Sequence, residues 1–218
     1  HWMGADLKEL ELVARDLERL SRRANLWEVL NVALHFKAAC HYHQNRLSAV
    51  EDDLRDLLRK NAIASPELYA HSLITLALAQ EALGKSGNAL QTSGSLRDLA
   101  FKTQNPDLIG LSEVVAAELA VRQGRMVDAL SWARQYDPEP LVAEHSFFAP
   151  PVCLAKILIW DDTAASRKRA QALLPRLEDY YSGIHNKRFL IETLALRALL
   201  SDKTGETAHA IEQLGRAI

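Results

Sequence analysis

The side chains that could bind a metal or move protons are thinly spread along the chain. Cys40 and His43 stand three residues apart, on one face of a helix, with His41 between them. Two ligands do not make a zinc site, and no second cluster of matching spacing occurs, so this segment reads as structural. His35, His71, His145, His185 and His209 are scattered, none with a nucleophile in its local sequence. There is no Gly-x-Ser-x-Gly elbow, since Ser93-Gly94-Ser95 lacks the first glycine. Gly84-Lys85-Ser86 likewise lacks the earlier glycine of a phosphate-cradling loop. Asp161-Asp162 reads as a helix terminus, with Asp162 or Thr163 capping the helix that follows. With no catalytic residue, metal set or cofactor loop to assign, the chain is read as a binding protein and not an enzyme.

Residues suited to binding are polar or aromatic ones on helices that line a common wall: Tyr42, His71, Glu118, Arg188, Glu192 and Arg197. Arg188 and Glu192 are four apart, so a mutual ion pair is the simpler reading of those two. Trp2, Trp27, Trp132 and Trp160 are assigned to packing.

The helices that must position these residues are written in an internal repeat. Gly84 to Leu90, Gly124 to Leu130 and Gly205 to Ile211 each begin with glycine, place Ala89, Ala129 or Ala210 five residues on, and follow it with a branched aliphatic residue. Weaker copies begin at Asn45 and Ala165, so the starts at 45, 84, 124, 165 and 205 lie 39, 40, 41 and 40 residues apart. Glycine or asparagine can take the left-handed conformation that closes one helix before the next. The alanine lets the second helix approach the first, and the aliphatic residue after it is expected to fill the gap. Apolar residues upstream of each corner recur at three and four.

These signals predict an all-α fold: a right-handed α-α superhelix of about five helical hairpins, with helices over 5–23, 27–44, 47–60, 66–83, 87–103, 107–123, 126–135, 148–160, 164–181, 187–202 and 206–217. Ser65-Pro66 and Asn105-Pro106 are cap and first-turn pairs. Pro138, Pro140, Pro150 and Pro151 make 136–151 an irregular connection, and a second candidate binding surface. Residues 1–4 read as a tag or start remnant, and 5–218 as one solenoid domain cut from a longer array, since the chain ends inside an apolar pattern.

Composition narrows the partners. The 26 basic and 28 acidic residues are interspersed, giving no footprint for a phosphate backbone, so direct nucleic-acid binding is not expected. No apolar run reaches the roughly 18 residues of a membrane span. Two cysteines far apart, Cys40 and Cys153, suit a reducing, cytoplasmic setting.

The run Ala117-Glu118-Leu119-Ala120-Val121-Arg122-Gln123-Gly124-Arg125, with Asp128-Ala129-Leu130-Ser131-Trp132-Ala133 after it, resembles the tetratricopeptide-like sensor region of bacterial LuxR-type ATP-dependent transcription regulators. Phe147-Phe148-Ala149-Pro150-Pro151 and Arg188-Phe189-Leu190-Ile191-Glu192 follow in the order of that region, and the likeness runs over about residues 30–218. The resemblance implies a parent with a nucleotide-binding switch, this sensor and a DNA-binding domain. The sensor would take a small-molecule inducer or a protein partner and act on the parent's other domains. An alternative is a scaffold or homo-oligomerisation module of a signalling kinase or cyclase, without a small ligand.

Overall fold

The computed structural model describes residues 4, 6–59, 65–141 and 148–217. Among these every regular element is helical: α1 (Leu7–Ala24), α2 (Trp27–His43), α3 (Leu47–Arg59), α4 (Pro66–Ala82), α5 (Ser86–Thr103), α6 (Pro106–Arg122), α7 (Met126–Gln135), α8 (Pro150–Asp161), α9 (Ala164–Gly183), α10 (Lys187–Lys203) and α11 (Thr207–Ala217). The chain divides into two compact units, Asp6–Gln123 and Gly124–Ile218. In the first, each helix from α1 to α6 packs on the next, and α4 also touches α2 and α6. In the second, α7 to α11 pack in the same serial way, and α8 also touches α10. Within each unit, then, the first helices of successive hairpins are neighbours, as a helical repeat requires. None of the described helices is long and apolar enough to cross a membrane.

The corners follow from local chemistry. Gly84, Gly124 and Gly205 have φ of 74°, 72° and 84°, and Asn45 has 58°. At Gly84 the amide of Lys85 donates to the Gln80 carbonyl at 2.9 Å, and that of Gly84 to the Glu81 carbonyl at 2.9 Å. This paired closure satisfies two carbonyls that the end of α4 would otherwise leave bare. Asn45 and Gly205 repeat it, with Arg46 donating to His41 and Glu206 to Ser201, each at 2.8 Å. Helix starts are equally legible: the Ser65 hydroxyl accepts from the Leu68 amide, and the Asn105 side chain accepts from those of Asp107 and Leu108. Proline occupies the first turn in both cases, where no amide hydrogen is missed.

Four expectations need correction. The corner before α9 is not at Ala165: the left-handed residue is Asp162, with φ of 54°, and Thr163 caps α9 by accepting from the Ser166 amide. Ala170 keeps the repeat's register, fully buried like Ala89 and Ala129, so α9 has gained about one turn at its start. The aliphatic residue after the corner alanine does not fill the gap between helices, since Leu90 is 46% and Ile211 66% exposed. One residue of helix turns through about 100° and carries that side chain off the contact face. The connection beginning at 136 ends at Ala149, because Pro150 and Pro151 sit in the first turn of α8; its residues 142–147 lie outside those described, as do His145 and Phe147. Finally, Trp27 and Trp160 are 41% and 52% exposed and do not build the core. Trp132 stacks on Tyr136 at 4.6 Å, and Trp2 is outside the described residues.

The core is aliphatic. Leu30, Leu34 and Ala38 of α2 close on Val50, Leu54 and Leu57 of α3 and on Ala79 of α4. Each fully buried leucine contributes about 1.5–3 kcal/mol of transfer free energy. In the second unit Tyr181 of α9 packs on Phe189 of α10 with ring centroids 5.2 Å apart.

Candidate functional site

In the first unit the neighbouring helices α2, α4 and α6 carry polar side chains on apolar ground. Asn31 and His35 are one turn apart on α2, 5% and 7% exposed. Ser72 of α4 donates its only hydroxyl proton to the Leu68 carbonyl at 2.8 Å. Its oxygen therefore accepts from His35 Nδ1, 3.2 Å away, which fixes the tautomer with the lone pair on Nε2. Burial, and secondarily the His71 ring, push the His35 pKa down to about 3. The two rings lie 6.4 Å apart, and burial lowers the His71 pKa as well. Both imidazoles are thus neutral at pH 7. His71 Nδ1 and Asn31 Nδ2 are buried and have no hydrogen-bond partner among the described residues. A buried polar atom left this way costs about 1–3 kcal/mol.

At the other end of these helices Tyr42 meets Glu118 and Arg122. The Arg122 guanidinium donates to the Glu118 carboxylate, with Nε at 2.9 Å and Nη2 at 2.8 Å, and to the Tyr42 phenol oxygen. Burial alone would lower the Arg122 pKa; Tyr42 and Glu118 more than offset it, so the net shift is upward and the cation is secure. Glu118 is 2% exposed, so this cation is what makes its charge tolerable. Repeat register explains the reach from α2 to α6. His43, Ala82 and Arg122 are equivalent positions, and the exposed methyl of Ala82 leaves the intervening helix low.

The second unit brings its predicted residues to different neighbours. Glu192 takes Lys156 of α8 at 2.6 Å, and Arg197 takes Glu178 of α9. Five residues of helix separate them by about 140° around α10. Arg188 is buried with its guanidinium carbon 3.7 Å from the centroid of the Phe189 ring. Of the six predicted residues, Tyr42 and Glu118 are joined through Arg122, His71 lies beside His35 toward the other end of the same helices, and the three on α10 do not converge. Asn31, His35 and Arg122 were missed by sequence reasoning; the i, i+4 spacing of Asn31 and His35 within an apolar helix was the available signal. Cys40 is buried in the core beside unrelated groups, and no cluster of three metal-ligating side chains occurs among the described residues.

Comparison with known proteins adds little to this geometry. No family model matches the chain, and no solved structure matches it. A stretch of 106 residues is 32% identical to a 2-isopropylmalate synthase of Pseudomonas savastanoi pv. phaseolicola (strain 1448A / Race 6), covering 48% of this chain and 18% of that protein. The chain therefore spans less than a fifth of that relative, and the match carries neither family nor activity to it.

Proposed function

We propose that the chain is a sensing and interaction module of the kind found in LuxR-type ATP-dependent transcription regulators, working in the cytoplasm by binding and not by catalysis. The supporting observation is the α2–α4–α6 face. It pairs buried polar atoms at Asn31 and His71, unsatisfied among the described residues, with the hydrogen-bonded trio Tyr42, Arg122 and Glu118. Polar atoms left bare in an apolar setting cost stability, and a ligand or partner that completes their hydrogen bonds offsets that cost. Binding would act on the parent's switch by population shift, through different affinities for its two states.

The test uses Asn31→Leu and a thermal-shift screen against a metabolite panel. Removing the unsatisfied amide is expected to raise the melting temperature of the free chain and to abolish the shift produced by whichever compound binds the wild type. If no compound shifts the wild type and the chain self-associates in ultracentrifugation, the reading fails. The alternative scaffold role in a signalling kinase or cyclase then takes its place. The exposed Ile211 and Leu214 on α11 favour that second reading.

A further inference from the structure

Within the second unit, α9, α10 and α11 line a half-open cleft of about 140 Å³. An apolar protein cavity of about 150 Å³ accommodates benzene, so the cleft has room for a molecule of roughly six to eight non-hydrogen atoms. Its floor is apolar: Leu174 and Leu200 are 1% and 6% exposed, and Pro175 lies between α9 turns beside them. The walls are not.

Arg197 lines the cleft, and its guanidinium shares the Glu178 carboxylate with Arg216. Burial and then the Arg216 charge hold the Arg197 pKa below the usual arginine value; Glu212 acts the other way without reversing the shift, so an anion placed directly on the guanidinium is favoured. Ser201 adds a hydroxyl on the same helix.

Opposite charge lines the cleft as well. Glu206, at the start of α11, is exposed and forms no ion pair among the described residues. Pro175 sits inside α9 and has no amide hydrogen, so the carbonyl of Gln171, one turn earlier, loses its helical donor. Gln171 lines the cleft too. A carboxylate and a spare carbonyl together accept the hydrogens of an ammonium group. In a space this small, both charges are within reach of one ligand.

We infer that this cleft binds a zwitterionic L-α-amino acid with a small aliphatic side chain, carboxylate toward Arg197 and Ser201, ammonium toward Glu206 and the Gln171 carbonyl, side chain over Leu174 and Leu200. A simple carboxylate leaves Glu206 unmatched, and a simple amine leaves Arg197 so. An aromatic side chain would have to extend out through the cleft's open side. The inference names an inducer class for the sensing reading and rests on that reading for its biological sense.

Isothermal titration of the full chain with L-valine and L-alanine tests it, with acetate and propylamine as single-charge probes and L-tryptophan as the size probe. The wild type is expected to bind valine and alanine. Arg197→Gln and Glu206→Gln should each weaken that binding about tenfold or more, as loss of one charge-assisted hydrogen bond implies. Glu206 is on the surface, so Glu206→Gln folds even if Arg197→Gln does not. The inference is overturned if neither amino acid binds the folded wild type, if Glu206→Gln binds as well as wild type, or if acetate binds as tightly as valine. Asn31→Leu keeps the two ideas apart. A metabolite whose effect it abolishes, alongside no response to amino acids, sinks the cleft and leaves the sensing reading intact.

Discussion

Replacing Lys37 by methionine should cost the first unit about 2–3 kcal/mol at pH 7, because it strips the cation from two shielded carboxylates while keeping the apolar stem in place. Lys37 Nζ lies 2.6 Å from Glu18 Oε2 of α1 and 3.0 Å from Asp53 Oδ1 of α3, and the Lys37 side chain is 15% exposed. His41 Nδ1 meets the other Asp53 oxygen at 2.6 Å, and Glu11 is held by Arg15 and Arg46. Removing one member of a buried pair costs about 3–5 kcal/mol; Arg22 on Glu18 and His41 on Asp53 remain, which brings the figure down. The pH dependence identifies the cause. Burial raises the Glu18 carboxyl, and hydrogen bonds from Lys37 and Arg22 more than reverse this, leaving its pKa below 4.5. Glu11 is lowered in the same way, burial being outweighed chiefly by Arg46. For Lys37, burial is outweighed by Glu18 and Asp53, and its pKa is raised above 10.5. The network's contribution is therefore complete between these limits. It is lost as pH falls through the lowered carboxylate values or rises through the raised lysine value. Urea unfolding read by Trp27 fluorescence, with the other tryptophans replaced by phenylalanine, should show the midpoint about 1–2 M lower in Lys37→Met at pH 7. The two curves should converge below pH 4.5. A difference under about 0.5 kcal/mol at pH 7, or one as large at pH 4 as at pH 7, would refute the reasoning.

Three further outcomes follow from single positions. His35, neutral in the fold with a pKa of about 3, should show no imidazole titration by NMR between pH 8 and 5. Because the unfolded chain takes up that proton near pH 6.5, stability from this residue is present above pH 6.5. It is lost as pH falls from there toward 3, by about 1.4 kcal/mol per pH unit, and His35→Phe should flatten this slope. Gly84→Ala meets open space but keeps a φ of 74°, so it should destabilise by about 1 kcal/mol through backbone strain alone. Gly94→Ala inside α5, also with open space, should stabilise by about 0.5–1 kcal/mol; equal effects at both sites in thermal unfolding would contradict the corner geometry.

The helical corners were legible because their information is local. Gly84, Gly124 and Gly205 declare the left-handed turn by residue type, and Ser65-Pro66 and Asn105-Pro106 declare helix starts, so the helices among the described residues were placed to within about two residues. The terminus at Asp161-Asp162 and the Thr163 cap were legible from residue type, but the alanine pattern drew the repeat's corner to Ala165, three residues along, because aspartate in the left-handed region has no special spelling. The candidate site was legible only in part, for a different reason. Tyr42 and Glu118 were found as polar residues on first helices, but their meeting depends on Arg122 reaching past Ala82, which no single helix encodes. His35 and His71 are 36 residues apart, against corner spacings of 39 and 40. They are therefore staggered by about one turn, and a search in strict repeat register passes over them. Side chains that meet diagonally across neighbouring helices depend on packing angle and axial shift, which the period constrains only to within a turn. For the same reason the charge network of Lys37, Glu18 and Asp53 reads in sequence as three ordinary surface residues. Its members come from three helices and become neighbours only once α2 is held between α1 and α3.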